Sequence, residues 1–266
     1  MATIACLCVS LAAIGDIQAA QTPAPQTESA AQAAPAAAAK APDYSNQPLV
    51  LEKWLTTITC DANAICTVEN SARARIQSAA GVQAFGNLDI QYASASSAAD
   101  FVSVKVTKPD GRVVTTDPAD ALAIPADVTR EAPEYSDLQE KQLAVRGLEA
   151  GDTLEYQTVV RDTAPLDPGQ FWYFYNFTKG AIVLSEELRF IAPKNRHVNF
   201  KSIDVQPTVT LDGANSVYDW KSSNLSDADS GKKTPAPQIG LAPPPDILIS
   251  SFDSWDQVGQ WFRGLA

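Results

Sequence analysis

The sequence predicts an all-β domain: a two-layer sandwich of antiparallel strands, with a short C-terminal helix. Three observations predict it. Short runs in which apolar and polar residues alternate recur from about residue 49 to residue 224. Turn signals punctuate them, with K-P-D-G at 108–111, E-A-G-D at 149–152 and D-G at 212–213. A pattern of helical spacing occurs only at the C-terminus.

The densest run is 145–191. Leu154, Tyr156, Thr158 and Val160 fall on one face of an extended segment, with Glu155, Gln157 and Arg161 on the other. Phe171, Tyr173, Tyr175 and Phe177 make a second face, backed by Trp172 and Phe174. Large side chains on both faces predict a central position between packed layers. Ile182, Leu184, Leu188 and Phe190 mark a third strand.

In chain order, residues 1–20 read as the remnant of an export signal. An apolar stretch from Ile4 to Ile14 precedes small residues and is too short to span a bilayer. Residues 21–48, mostly Ala, Pro, Gln and Thr, lack the large side chains that offset the entropy of ordering, so they read as a disordered linker. The sandwich is expected over 49–225. Trp54, Thr56, Ile58 and Cys60 alternate on a first strand, and Val68, Ala72, Ala74 and Ile76 on its return, with Arg73 and Arg75 opposite. Val82–Phe85 is expected as a connection, and Asp89–Tyr92 as the start of another strand. Phe101, Val104 and Val106 lead through K-P-D-G to Val113 and Val114, the clearest hairpin in the chain. D-P-A-D-A-L-A-I-P-A then reads as a loop. Further strands are expected around Val198, Val209 and Trp220. Residues 226–246 form a Pro-rich linker, and 247–266 a strand and a helix leading to a further domain. In that helix Ser254 caps, Gln257 reciprocates, and Val258, Trp261, Phe262 and Leu265 form the apolar stripe.

The formal charge of −11 and the lack of a basic run exclude nucleic acid and anionic membrane surfaces as expected partners. A single histidine excludes a multi-histidine metal centre. Cys60 and Cys66 bracket D-A-N-A-I. A hairpin there would bring the thiols together for a disulfide in an oxidising compartment; the competing reading leaves two reduced thiols. His197 could act as a general base, but no neighbouring residue marks it as one, and an ordinary strand histidine accounts for it equally. Nucleotide-binding glycine loops, zinc-protease and serine-hydrolase motifs are absent, and no cofactor is expected.

Two surfaces remain as recognition candidates. One is the polar stretch 127–142, with Arg130, Glu131, Glu134, Tyr135 and Asp137. The other is the aromatic run, where Trp172, Tyr173 and Tyr175 could line a groove for carbohydrate or peptide, or simply fill the core.

Several stretches together resemble a known family. They are S-A-R-A-R-I-Q-S-A-A-G-V-Q-A-F-G-N-L (71–88), V-K-V-T-K-P-D-G-R-V-V (104–114), V-T-R-E-A-P-E-Y-S-D-L-Q-E-K (128–141), G-L-E-A-G-D-T-L-E-Y (147–156) and P-G-Q-F-W-Y-F-Y-N-F (168–177). They are similar to the uncharacterised β-rich N-terminal domain, of the DUF3857 type, that precedes transglutaminase-like cores in exported bacterial proteins. The resemblance implies a periplasmic or secreted location and a downstream Cys-His-Asp core that carries the chemistry, and it transfers no catalytic residue to this chain. The expected function is a non-catalytic accessory or binding domain that supports such a core or presents substrate to it. Its partner would be a protein or a cell-envelope polymer. The alternatives are the N-terminal fragment of a cysteine-dependent peptidase or acyl-transferase, and a carbohydrate-binding module.

Overall fold

The computed structural model describes residues 43–165, 167, 169–226 and 244–264. The expected export segment and most of both linkers, 21–42 and 227–243, lie outside these residues. The described strands are β1 (Leu49–Cys60), β2 (Cys66–Ile76), β3 (Asn87–Ala93), β4 (Ser97–Thr107), β5 (Val113–Thr116), β6 (Leu122–Pro125), β7 (Leu138–Ala144), β8 (Thr153–Asp162), β9 (Trp172–Tyr175), β10 (Ile182–Pro193), β11 (Asn199–Ser202), β12 (Thr208–Asp212), β13 (Asn215–Asn224) and β14 (Ile247–Ser250). Three α-helices accompany them: α1 (Ala79–Phe85), α2 (Asp127–Glu131) and α3 (Trp255–Gly264).

An eight-stranded sheet, ordered β12-β13-β10-β1-β2-β8-β4-β5, forms one layer. The second layer consists of two three-stranded sheets, β3-β7-β6 and β11-β14-β9. The pairings are antiparallel apart from β1 with β10, which run parallel. β1, β4 and β10 each carry a register shift, after Leu51, Phe101 and Val183. The extra residue restores side-chain parity, so Leu51 and Trp54, Phe101 and Val104, and Val183 and Glu186 share one face.

That face carries two separate cores. In the first, Ala72, Ala74, Ile76, Val104, Val106 and Leu154 lie beneath Leu88, Ile90 and Leu143 of β3 and β7. In the second, Ile58, Leu188, Phe190 and Trp220 lie beneath Phe171, Ile247 and Ile249. The opposite face is charged and faces solvent: Arg73 contacts Glu52 at 2.8 Å and Glu155 at 2.9 Å, and Arg189 contacts Asp219 at 2.7 Å. The polar parity seen in the sequence for Arg73 and Arg75 is this outer face.

Two turns lock the first core. Gly111, at φ 85°, closes the K-P-D-G hairpin. The Lys108 ammonium beside it reaches Asp152 at 2.9 Å, Glu149 at 2.8 Å and the Gly147 carbonyl at 2.6 Å, tying this hairpin to the turn before β8. The two family-like turn motifs thus meet in space. Gly81 lets α1 lie against the Pro48 carbonyl, where a side chain would collide.

The structure departs from several local expectations. Val82–Phe85 lies in α1, capped by Ser78. The loop after β5 contains a short strand, β6, and the polar stretch 127–142 divides into α2 and the start of β7. The aromatic run is not central: β9 is an edge strand of four residues, and Phe174 is 70% exposed. Its outer face is aromatic because another piece covers part of it, with Trp261 of α3 packing on Trp172 and Phe252. Residues 247–250 belong to the folded unit, since β14 separates β11 from β9 and buries Ile247 and Ile249.

Candidate functional site

The gap between the two cores is the site. Thr56, Asn70 and Thr158 are aligned across β1, β2 and β8, all on the core-facing side. The Thr56 hydroxyl donates to the Asn70 side-chain carbonyl at 2.7 Å, and the Trp54 indole donates to Thr56 at 3.3 Å. A polar row across the floor of a sandwich interrupts its apolar packing, so the second layer splits above it. The result is a trench. One part, of about 390 Å³, has Trp54, Asn70, Tyr156 and Thr158 in its floor and Asp89–Gln91 of β3 in its wall. Another, of about 200 Å³, lies at Asp162 between Ala93 and Ser96 on one side and Trp172 and Tyr173 on the other. The first falls within the size range of ligand clefts.

β9 is pinned to the floor by its two inward tyrosines. The Tyr173 hydroxyl donates to Asp162 at 3.3 Å, and the Cys66 amide donates to the same carboxyl oxygen at 3.2 Å. The Tyr175 hydroxyl donates to Glu186 at 2.9 Å, and Glu186 also accepts from the Thr178 amide at 3.0 Å. Burial pushes the Tyr156, Tyr173 and Tyr175 phenols well above their ordinary range, helped by neighbouring carboxylates. These phenols therefore stay neutral and serve as hydrogen-bond donors. Burial also raises the Asp162 carboxyl, opposed by its bonds from Cys66 and Tyr173.

Cys60 and Cys66 form a disulfide with their Cα atoms 4.1 Å apart, closing the β1–β2 hairpin beside the trench end at Ala64. Both thiols are thereby removed from nucleophilic chemistry. His197 is 57% exposed, with Nε2 3.9 Å from an Asp253 carboxyl oxygen. Among the described residues no three His, Cys, Asp or Glu side chains gather as a metal site. The trench can bind through hydroxyls, an amide, carboxyls and aromatic rings.

The two sets of sequence candidates occupy different places. Arg130 bonds Asp127 and the Pro125 carbonyl within its own helix and strand, Glu131 and Glu134 are exposed, and Tyr135 is 88% exposed. Asp137 links this stretch to the trench: its carboxylate accepts from the Ala95 amide at 2.6 Å and its carbonyl from the Ser94 amide at 3.2 Å. It thereby steadies the 94–96 turn in the trench wall. Trp172 and Tyr173 line the opposite wall, while Tyr175 turns under β9 to Glu186.

Asn70, Asp89 and Asp162, which line the trench, and Glu186, buried under β9, are residues that sequence reasoning passed over. Asn70 had a readable signal, a polar amide at the inward parity of Val68, Ala72, Ala74 and Ile76. Glu186 had none, because the β10 bulge sets its facing.

A sequence profile for a domain of unknown function, DUF3857, matches residues 66–228, more than half of the sequence. The chain belongs to the DUF3857 family. The matched stretch runs from β2 through β13, yet the DUF3857 fold here also requires β1, central between β10 and β2, and β14. No curated protein matches the chain. Among solved structures, a "putative protease" from Parabacteroides distasonis is similar with a TM-score of 0.67 and 15% identity, over 78% of this chain and 41% of that one. This likeness shows a shared fold. An M1 zinc metallopeptidase from Deinococcus radiodurans aligns with a TM-score of 0.39 and 8% identity, over 77% of this chain and 42% of that one. The DUF3857 chain thus spans less than half the length of each.

Proposed function

We propose that this chain is a non-catalytic, extracytoplasmic accessory domain that binds a protein or cell-envelope polymer for a neighbouring transglutaminase-like domain. The observation that carries the reading is the trench. It has the volume and mixed polar lining of a binding cleft, while the thiols beside it are bonded to each other and its phenols are held neutral. The disulfide accords with a periplasmic or secreted location. No helix among the described residues is long and apolar enough to cross a membrane. The test incubates the intact chain with reduced casein and, separately, with soluble peptidoglycan fragments. Binding to one of them without turnover supports the reading. Hydrolysis or transamidation by this chain, retained after Cys60 and Cys66 are replaced by serine, contradicts it.

A second reading has one specific observation in its favour. The P. distasonis protein is described as a putative protease, and this chain corresponds to 41% of it. On that basis the chain would be part of a larger peptidase; the resemblance to domains that precede transglutaminase-like cores adds the N-terminal place and the cysteine-dependent peptidase or acyl-transferase chemistry. The reading frame beyond residue 266 separates the two. A cysteine at a helix start, followed by histidine and aspartate, supports the second; a stop codon supports the first. The carbohydrate-binding alternative draws less support from β9, where Trp172 packs on Trp261 and the hydroxyls of Tyr173 and Tyr175 are engaged by carboxyls, which leaves Phe174 as its exposed ring.

A further inference from the structure

Each small sheet presents one unpaired edge to the trench. Among the described residues β3 pairs only with β7, and β9 only with β14. Their open sides face each other, because Ala93 of β3 and Trp172 and Tyr173 of β9 line the same space above Asp162. The hydrogen-bond phase of each strand fixes which groups point there. The Ser251 amide donates to the Phe171 carbonyl at 3.0 Å, so Tyr173 and Tyr175 exchange bonds with β14 and the backbone of Trp172 and Phe174 points outward. The Val145 amide donates to the Gly86 carbonyl at 2.9 Å, which by the same alternation leaves the backbone of Asp89 and Gln91 facing the trench. Unpaired edges are template sites for another strand.

We propose that the trench between β3 and β9 takes an extended, cationic segment of another polypeptide by strand addition, an assignment that rests on the accessory-binding reading above. A strand laid there would hydrogen-bond to the Asp89–Gln91 edge, the Trp172–Phe174 edge or both. Spanning both would join the two small sheets into one continuous layer, with neighbouring strands about 4.8 Å apart. The floor suits alternating side chains of moderate size: Val68 and Val160 are apolar, and Asn70 and Thr158 are polar. The charge of the occupant follows from the lining, whose carboxyl groups, Asp89 and Asp162, meet no lysine or arginine among the lining residues. An occupant carrying Lys or Arg matches them, and the net charge of −11 steers such a segment inward.

The probe is a short fluorescein-labelled peptide alternating Val and Thr, with Lys at both ends, titrated into the intact chain by anisotropy. Two control peptides replace Lys by Glu or carry N-methyl groups on alternate amides. The Lys peptide is expected to bind, and each control to bind about tenfold or more weakly, through charge repulsion for the Glu peptide and through the equivalent of one or two hydrogen bonds lost for the N-methylated one. Asp89 is exposed, so D89K is expected to fold normally by circular dichroism and to weaken the Lys peptide several-fold. Amide exchange with bound peptide should show new protection at Asp89, Gln91, Trp172 and Phe174. No binding, equal binding of the N-methylated peptide, or protection confined to the outer face of the large sheet would overturn the trench assignment. Protection on the outer face would still leave the accessory-binding reading standing, since only turnover defeats that.

Discussion

Single buried polar groups decide how β9 sits on the large sheet. Glu186 is 2% exposed and collects the Tyr175 hydroxyl and the Thr178 amide. Replacing Glu186 by Ala strands both donors, and we expect a loss of about 2–4 kcal/mol, read as a lower urea midpoint with unchanged slope. Asp162 provides a pH test. Its pKa is raised above 3.8 on folding, chiefly by burial. The folded chain therefore holds that proton more tightly. The group's contribution to stability is full below 3.8 and is lost as pH rises through the folded value. Asp162→Asn should consequently gain stability relative to the natural chain as pH rises through this window. A difference between the two that does not vary with pH would contradict the assignment. Inward tyrosines on alternate positions were legible in the sequence, and so was Asn70 at a core parity. The partners of the tyrosines were not, because Asp162 and Glu186 come from β8 and β10, distant strands whose registers only the folded sheet defines.

At the scale of elements, local signals held where the chemistry was local. The K-P-D-G hairpin and the alternation in β1, β2 and β8 stand as the residue pattern implies. The Cys60–Cys66 link also follows from local geometry, since Cys60 and Cys66 are register partners at the end of the β1–β2 ladder. Closing so short a loop is worth about 2 kcal/mol in the chain-entropy account. The double serine variant should lose roughly that in chemical denaturation, and the natural chain should gain the mass of two hydrogens on reduction. An unchanged mass would remove the disulfide. The aromatic run misled for a physical reason. Two-sided hydrophobicity marks burial between layers only when a layer, rather than one short helix, covers the second face. Likewise β14 was legible as a strand, but its place between β11 and β9 was not, since pairing across some seventy residues leaves no local trace.

At the scale of the molecule, a split second layer over the large sheet leaves, among the described residues, a gap where two strand edges confront each other without pairing. Composition could not show it. The outer face spends charge on surface ion pairs worth little individually, while the inner face gathers polar groups such as Asn70, Thr158 and Asp162 at the gap. On the proposed reading that arrangement organises binding, and a second-layer strand pair that closed over the gap would abolish it. Residue-resolved amide exchange by NMR on the ligand-free chain tests this most directly. The account predicts slow exchange at Tyr173 and Tyr175, whose amides pair with β14, and fast exchange at Trp172, Phe174, Asp89 and Gln91. Slow exchange at the latter four would show that the two edges are already closed and would contradict it.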